Sequence, residues 1–294
     1  MKELWLMCNT CLYFTLKSQN EERINTGEIE LFLLPSSIYK LSYCKLPHDL
    51  QDSEDIQACA KTGFGDQEHV AGLLTQLGQI NASAYNKVVV WQNSTIDELS
   101  FLFMISYFFD TTLHIHNTNY SGDLHSAKKG IEHELCKFFN SGIENVIPSD
   151  LHQRMATLYS KNLSHPNTLK AIDNSRFTFI NQEEIGINVI FACKDTYQDV
   201  SHVANKVIGY YKERKRISLP AHVVLHYINE TIKTGLLKIE TIEGEDVSAY
   251  NQDTPDNQLV HYRVIMPSAQ AIKATISKDY TSLTFRTPVG RMHG

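Results

Sequence analysis

Four consecutive apolar residues, Val88-Val89-Val90-Trp91, constrain this chain more than any other feature. Three of them are β-branched, which favours a strand. The run shows no polar alternation, so both faces of that strand must be covered, as happens in a parallel sheet with helices on either side. The residues downstream agree. Ser94 and Asp97 have capping-box spacing, and Leu99, Leu102, Phe103, Ser106 and Phe109 recur at helical steps. A second β-prone run, Thr112-Leu113-His114-Ile115-His116, comes next. Upstream, Leu4 to Met7 and Ile29 to Leu34 are further apolar runs, the latter stopped by Pro35-Ser36-Ser37. Strand, helix, strand predicts an α/β fold with a small open parallel-type sheet over residues 1–120. Within it, Lys45 to His69 is polar and acidic and reads as a flexible loop or lid with room for a short helix, followed by a helix from Val70 to Leu77.

The texture then becomes helical. Leu124, Ala127, Ile131, Leu135 and Phe138 recur at three- and four-residue steps, as do Leu151, Met155 and Leu158. Val200, Val203, Ala204, Val207, Ile208 and Tyr211 make one stripe. After Ser218-Leu219-Pro220, a helix opener, Val223, Val224, Tyr227, Ile228 and Ile232 make another, closed by Gly235. Residues 121–243 therefore read as a mostly helical domain, and 244–294 as an antiparallel strand extension, in which Leu259 to Met266 returns after the run Leu236 to Ile242 and a polar loop from Gly244 to Asn257.

With 294 residues, 42% of them hydrophobic, the chain has material for one or two cores. A net charge of −6 argues against a protein that coats duplex DNA and suits a partner with a basic surface. The longest greasy stretch, Leu99 to Phe109, is far short of the roughly 20 residues of a membrane span. The opening Met1-Lys2-Glu3-Leu4-Trp5 does not make a signal peptide. The six cysteines are therefore expected as free thiols in a cytoplasmic protein.

Certain stretches resemble an uncharacterised bacterial two-module family, with an N-terminal α/β module and a C-terminal helical module. The matching pieces are the strand end Trp91-Gln92-Asn93-Ser94, the stretch Asp195-Thr196-Tyr197-Gln198-Asp199, and Thr231-Ile232-Lys233-Thr234-Gly235-Leu236-Leu237. Where the family has a Gly-Asp-Ser turn after the first strand, this chain has Cys8-Asn9-Thr10. The likeness spans at most residues 1–243. It implies a fold and no mechanism.

Several groups carry chemical promise. Cys8-Asn9-Thr10-Cys11 sits after a strand and opens a helix, where a thiolate is stabilised. The aromatic-Gly-Pro dressing of a redox pair is missing, so two inert thiols are the expectation. Cys8, Cys11, Cys44 and His48 also offer a Cys₃His set for zinc, the one cofactor the sequence raises. His114 and His116 alternate, share one face of a strand, and are the catalytic candidates, with Asp123 or His125 nearby. Glu132-His133-Glu134-Leu135-Cys136-Lys137 lacks the second histidine of a zincin, and neither a phosphate-binding P-loop nor a Gly-x-Ser-x-Gly elbow occurs.

Lys212, Arg214, Lys215 and Arg216 form the dense basic run and precede a helix and hairpin in winged-helix order, a nucleic-acid alternative. A small polar or anionic ligand is expected at the carboxyl edge of the sheet, bordered by Asn9, Thr10, Trp91, Gln92, Asn93 and His116. The leading expectation for function is a protein-interaction or regulatory module without complete catalytic machinery. An enzyme using the sheet-edge cleft is the alternative.

Overall fold

The structure, a computed structural model, describes residues 2–36, 39, 41, 44–62, 66–92, 95–117, 130–139, 144–163, 168–173, 176–215, 217, 219–245, 247, 256–270, 272–273, 284–287 and 290–293. The chain divides into two compact units, Met1–Phe179 and Ile180–Gly294. The expected N-terminal α/β sheet is present, followed by a mostly helical region that ends in antiparallel strands.

The first unit is built on β1 (Glu3–Met7), β2 (Ile29–Leu33), β3 (Lys87–Gln92), β4 (Leu113–Asn117) and β5 (Asn145–Val146), in the spatial order β2-β1-β3-β4-β5. The first four strands are parallel and β5 is an antiparallel edge. α1 (Thr10–Gln19) and the short α2 (Glu21–Asn25) return the chain from β1 to β2, and α5 (Ile96–Phe108) returns it from β3 to β4. These two crossovers travel in opposite directions from the sheet centre. With right-handed connections, that puts their helices on opposite faces.

The side chains alternate accordingly. Trp5, Met7, Val89 and Trp91 share one face and form a core cluster with Leu16 of α1 and Ile29 of β2. Leu4, Leu6, Val88, Val90, Leu113 and Ile115 alternate to the other face and are all buried. Trp91 therefore belongs to the core beneath α1. Every residue of α5 from Glu98 to Ser106 is buried, which explains why it carries apolar residues all round. α7 (Ser149–Leu158) packs on it from the outside.

The cap of α5 falls one residue later than the spacing of Ser94 and Asp97 predicts. Thr95 Oγ1 accepts from Glu98 N, while Thr95 N donates to Glu98 Oε2 at 3.0 Å. Glutamate has the extra methylene needed to reach back to the cap amide, and aspartate does not. Ser94 itself lies outside the described residues, as do the expected helical positions Leu124 and Ala127. The helix there is α6 (Gly130–Phe139).

The stretch expected as a flexible loop or lid is instead tied down where it is described. Between β2 and α4 (Gln67–Gln79) lies α3 (Ser53–Ala60), capped by Asp52. Asp55 gathers the segment: Lys45 Nζ lies 2.6 Å from its Oδ1, and the amides of His48 and Asp49 donate to its Oδ2. Leu46 and Leu50 are buried. Gly78 of α4 lets Leu50 approach, since a Cβ at Gly78 would lie 2.5 Å from the Leu50 carbonyl oxygen. Tyr39 and Tyr159 donate to the carbonyls of Lys45 and Pro47. Of the acidic residues here, Asp55 is drawn in and organises the backbone, while Asp49, Asp52, Glu54, Asp66 and Glu68 are exposed.

β6 (Thr168–Asp173) and β7 (Arg176–Asn181) pair, and β7 carries the chain into the second unit. There α8 (Gln182–Ala192), α9 (Val200–Tyr210) and α10 (Ala221–Lys233) pack on one another. A small antiparallel sheet has the order β8 (Gln198–Asp199), β10 (Tyr262–Ile265), β9 (Lys238–Thr241). β11 (Thr284–Thr287) and β12 (Gly290–His293) form a hairpin. Among the described residues, no helix is long and apolar enough to cross a membrane.

Candidate functional site

Strand order reverses between β1 and β3, because the chain leaves β1 toward β2 and leaves β3 toward β4. In open α/β sheets such a switch point parts the flanking loops and leaves a crevice at the carboxyl ends of the strands. Here the N-termini of α1 and α5 stand at the carboxyl edge of β1 and β3, and one side chain ties them together. Asn9 caps α1, its Oδ1 accepting from Leu12 N at 3.1 Å, while its Nδ2 donates to Glu98 Oε1 at 3.3 Å. Glu98 is buried. Its other oxygen accepts from Thr95 N and, at 2.8 Å, from Thr95 Oγ1. The carboxylate thus neutralises both helix ends from within the protein.

Four polar atoms at this edge are buried and have no hydrogen-bond partner among the described residues: Thr10 Oγ1, Trp91 Nε1, and both Oε1 and Nε2 of Gln92. Gln92 is 0% exposed. A buried polar group left unsatisfied costs about 1–3 kcal/mol, so a primary amide with both ends unmet among the described residues is an unusual feature of this edge. Gln92 lies opposite Asn117 in the β3–β4 register, and Trp91 lies opposite His116. The Trp91 and His116 rings stack at 4.0 Å and 27°, with Trp5 against the far side of the row at 4.8 Å. Burial lowers the pKa of His116, and Lys87 adds to this against the pull of Glu144. The ring is therefore neutral near pH 7. Asn93 lies outside the described residues.

His114 shares the face of His116 but has a different setting. Its Nδ1 lies 2.8 Å from Glu144 Oε1, and Lys87 Nζ lies 2.5 Å from Glu144 Oε2. Burial raises the pKa of Glu144, but the ammonium of Lys87 and then His114 outweigh it and hold the carboxyl below its usual value. Lys87 opens β3 and His114 pairs with Val89, so this ion-paired group sits away from the carboxyl edge.

Cys8, Cys11, Cys44 and His48 are not brought together. Cys8 is fully buried at the end of β1, where Ser36 N donates to its carbonyl, and Cys11 is exposed on α1. The Cys44 thiol donates to the Thr62 carbonyl at 2.8 Å, and His48 is exposed in a turn. Among the described residues, no group of three or more His, Cys, Asp and Glu is arranged to hold a metal ion. Nor is Cys8 an activated thiolate: burial drives its pKa well up, and Glu98 and Asp97 push the same way. Burial first, and then the carboxylates at the start of α5, reverse the effect that the sequence position suggests.

Lys212, Arg214 and Lys215 lie exposed on a π-helical turn, Tyr211–Lys215, and Lys215 pairs with Glu184 at 3.0 Å. Arg216 and the turn residue Ser218 lie outside the described residues, as do Asp123 and His125. On α10, the helix that a winged-helix reading would place against bases, Asn229 and Glu230 are both 3% exposed. They face the protein and not a groove.

Sequence reasoning missed two features. Glu98 reads as an ordinary helix-start acid, and only its distance to Asn9 reveals the bridge. Lys170 of β6 is buried, donating to the Cys44 carbonyl at 2.7 Å, with Asp97 within electrostatic reach. Burial brings its pKa down to about 8. Nothing in its surrounding residues announces a buried ammonium.

No protein-family model matches the chain, and no curated protein is significantly similar to it. The family resemblance therefore extends no further than the two-part architecture of an α/β unit followed by a mostly helical one.

Proposed function

We propose that this protein is a regulatory module whose N-terminal unit binds a small polar molecule at the carboxyl edge of β1 and β3, and that a partner protein reads the bound state. The observation that carries this reading is the set of partnerless buried atoms on Thr10, Trp91 and Gln92, placed where the strand order reverses. A primary amide offers one donor group and one acceptor side by side. The ligand that suits Gln92 presents the complementary edge, as a carboxamide or a nucleobase does. The carboxylate of Glu98 already occupies the electropositive ends of α1 and α5. An anion would meet that charge, so an uncharged ligand is favoured over the anionic one.

Asn9 acts here as a positioning residue, holding the two helix starts together. A partner with a basic surface suits the net charge of −6. The cytoplasm is the compartment this reading expects, supported by Cys8, Cys11, Cys44, Cys59 and Cys193, which carry free thiols. A second reading is an enzyme using the same sheet edge, with His116, which lies opposite Trp91 in the ladder and stacks on its ring, as the group that accepts a proton.

The test is a thermal-shift screen of small polar compounds against the wild type and Gln92→Leu. The reading expects stabilising hits among uncharged compounds with adjacent donor and acceptor groups, each lost in the variant. Hits that stabilise both proteins equally place the site elsewhere.

A further inference from the structure

The stretch Asp195-Thr196-Tyr197-Gln198-Asp199 plays no part in the sheet-edge reading, yet it borders an open cavity of the second unit. That cavity has a volume of about 500 Å³, and its walls include Lys194, Tyr197, Gln198, His202, Ile242 and Arg263. We propose that it is a binding site for a small anion that also carries a free hydroxyl group, the chemistry shared by sugar phosphates and hydroxy acids.

The site is held by backbone pairing. Gln198 and Asp199 pair with Val264 and Arg263 in the β8–β10 ladder, and Met266 N donates to the Lys194 carbonyl. α9 starts immediately afterwards at Val200. Its N-cap, Asp199, makes no side-chain cap hydrogen bond, and its carboxylate lies 3.9 Å from Arg263 Nε. The amides of the first turn therefore lack the side-chain acceptor that usually serves them, and the Asp199 carboxylate, which also lines the cavity, is offset by Arg263 instead of by the helix end. Lys194 adds a full positive charge beside it. Arg263 is spoken for: Glu240 lies 3.3 Å from its guanidinium, and its plane stands over the Tyr197 ring at 5.5 Å. It fixes the wall more than it attracts the ligand.

A separate observation points to the hydroxyl. Gln198 is only 8% exposed, and its Oε1 is buried with no hydrogen-bond partner among the described residues. A carbonyl oxygen can only accept, so the missing partner must donate. A carboxylate at neutral pH has no donor and a phosphate only its remaining P–OH, whereas an alcohol on the same molecule meets the need whatever the anionic group. Ile242, an exposed apolar side chain, flanks the carbon skeleton between the two ends. This inference stands apart from the sheet-edge reading, because the two sites share no residue and favour ligands of different charge.

Calorimetric titration of the full chain tests it, with ribose 5-phosphate, gluconate, ribose and inorganic phosphate as probes. The proposal expects at least one hydroxylated anion to bind about tenfold more tightly than either ribose or inorganic phosphate. Preference for ribose 5-phosphate identifies the phosphate class, and preference for gluconate the carboxylate class. Gln198→Leu should cost the hydroxylated anion about tenfold, and inorganic phosphate less. Lys194→Gln, at an exposed position that folding does not depend on, should weaken every anion. Gln92→Leu should leave all four titrations unaltered. The proposal is overturned if no hydroxylated anion outbinds ribose and phosphate, if Lys194→Gln leaves anion binding unchanged, or if folded Gln198→Leu binds like the wild type.

Discussion

Gln92 carries an amide that the described residues do not satisfy, and its replacement has a sign that can be forecast. Gln92→Leu keeps the approximate volume and removes two buried groups without partners. It should stabilise the unliganded protein by about 1–3 kcal/mol in urea denaturation. A loss of stability of more than about 1 kcal/mol would show that the amide is already hydrogen-bonded in solution. Lys170 gives a second forecast at this scale. Its pKa falls from the ordinary 10.5 to about 8 because burial disfavours the ammonium. Between those values the unfolded chain holds a proton that the folded protein has lost, so this group makes stability rise with pH across the window from 8 to 10.5, and its full penalty applies below 8. That penalty is about 3 kcal/mol. Lys170→Met should therefore gain most on the wild type below pH 8, with the gap closing by pH 10.5. A gap that does not change with pH would mean that the ammonium is solvated. Comparing the two proteins cancels the opposing contribution of buried thiols and phenols, which titrate in the unfolded chain over the same range.

At the scale of elements, α5 is the centre of the first unit. Phe103 is fully buried in it, and Phe103→Ala should cost about 3–5 kcal/mol through lost transfer energy and a cavity. An unfolding free energy within about 1 kcal/mol of the wild type would place that residue at a loose surface. The strands and this helix were legible in the sequence, because Val88 to Trp91 is a β-branched apolar run and Leu99 to Phe109 a longer apolar stretch behind a capping signal. The position of the cap was legible only to within one residue, because two acids, Asp97 and Glu98, compete for the same spacing and only side-chain length separates them. The loop from Lys45 was harder to read. Its order comes from Asp55 accepting two backbone amides and from Gly78 admitting Leu50, contacts that leave no periodic trace in the sequence.

At the scale of the whole molecule, cysteine chemistry is a global readout. All six cysteines should titrate as thiols in denaturant without reductant. In the native protein Cys11 should react first, while buried Cys8, Cys44, Cys59 and Cys193 stay protected, with burial raising Cys59 and Cys193 to about 12. Four or fewer thiols in denaturant would mean disulfides and a different compartment. The place of Asn9, Thr10, Trp91 and Gln92 at the carboxyl edge of the sheet was also legible, because they follow the apolar runs of the first and third strands. Its character was not, because the carboxylate of Glu98 between two helix ends reverses the charge preference that bare helix N-termini suggest. The most direct test of the sheet-edge site is an amide and side-chain NMR shift map of the isotope-labelled full chain, titrated with uncharged carboxamides and nucleobases. The predicted result is saturable shifts centred on Asn9, Thr10, Trp91, the Gln92 side-chain amide and Glu98. Shifts that instead gather around Lys212 to Lys215, with Gln92 silent, would contradict the account.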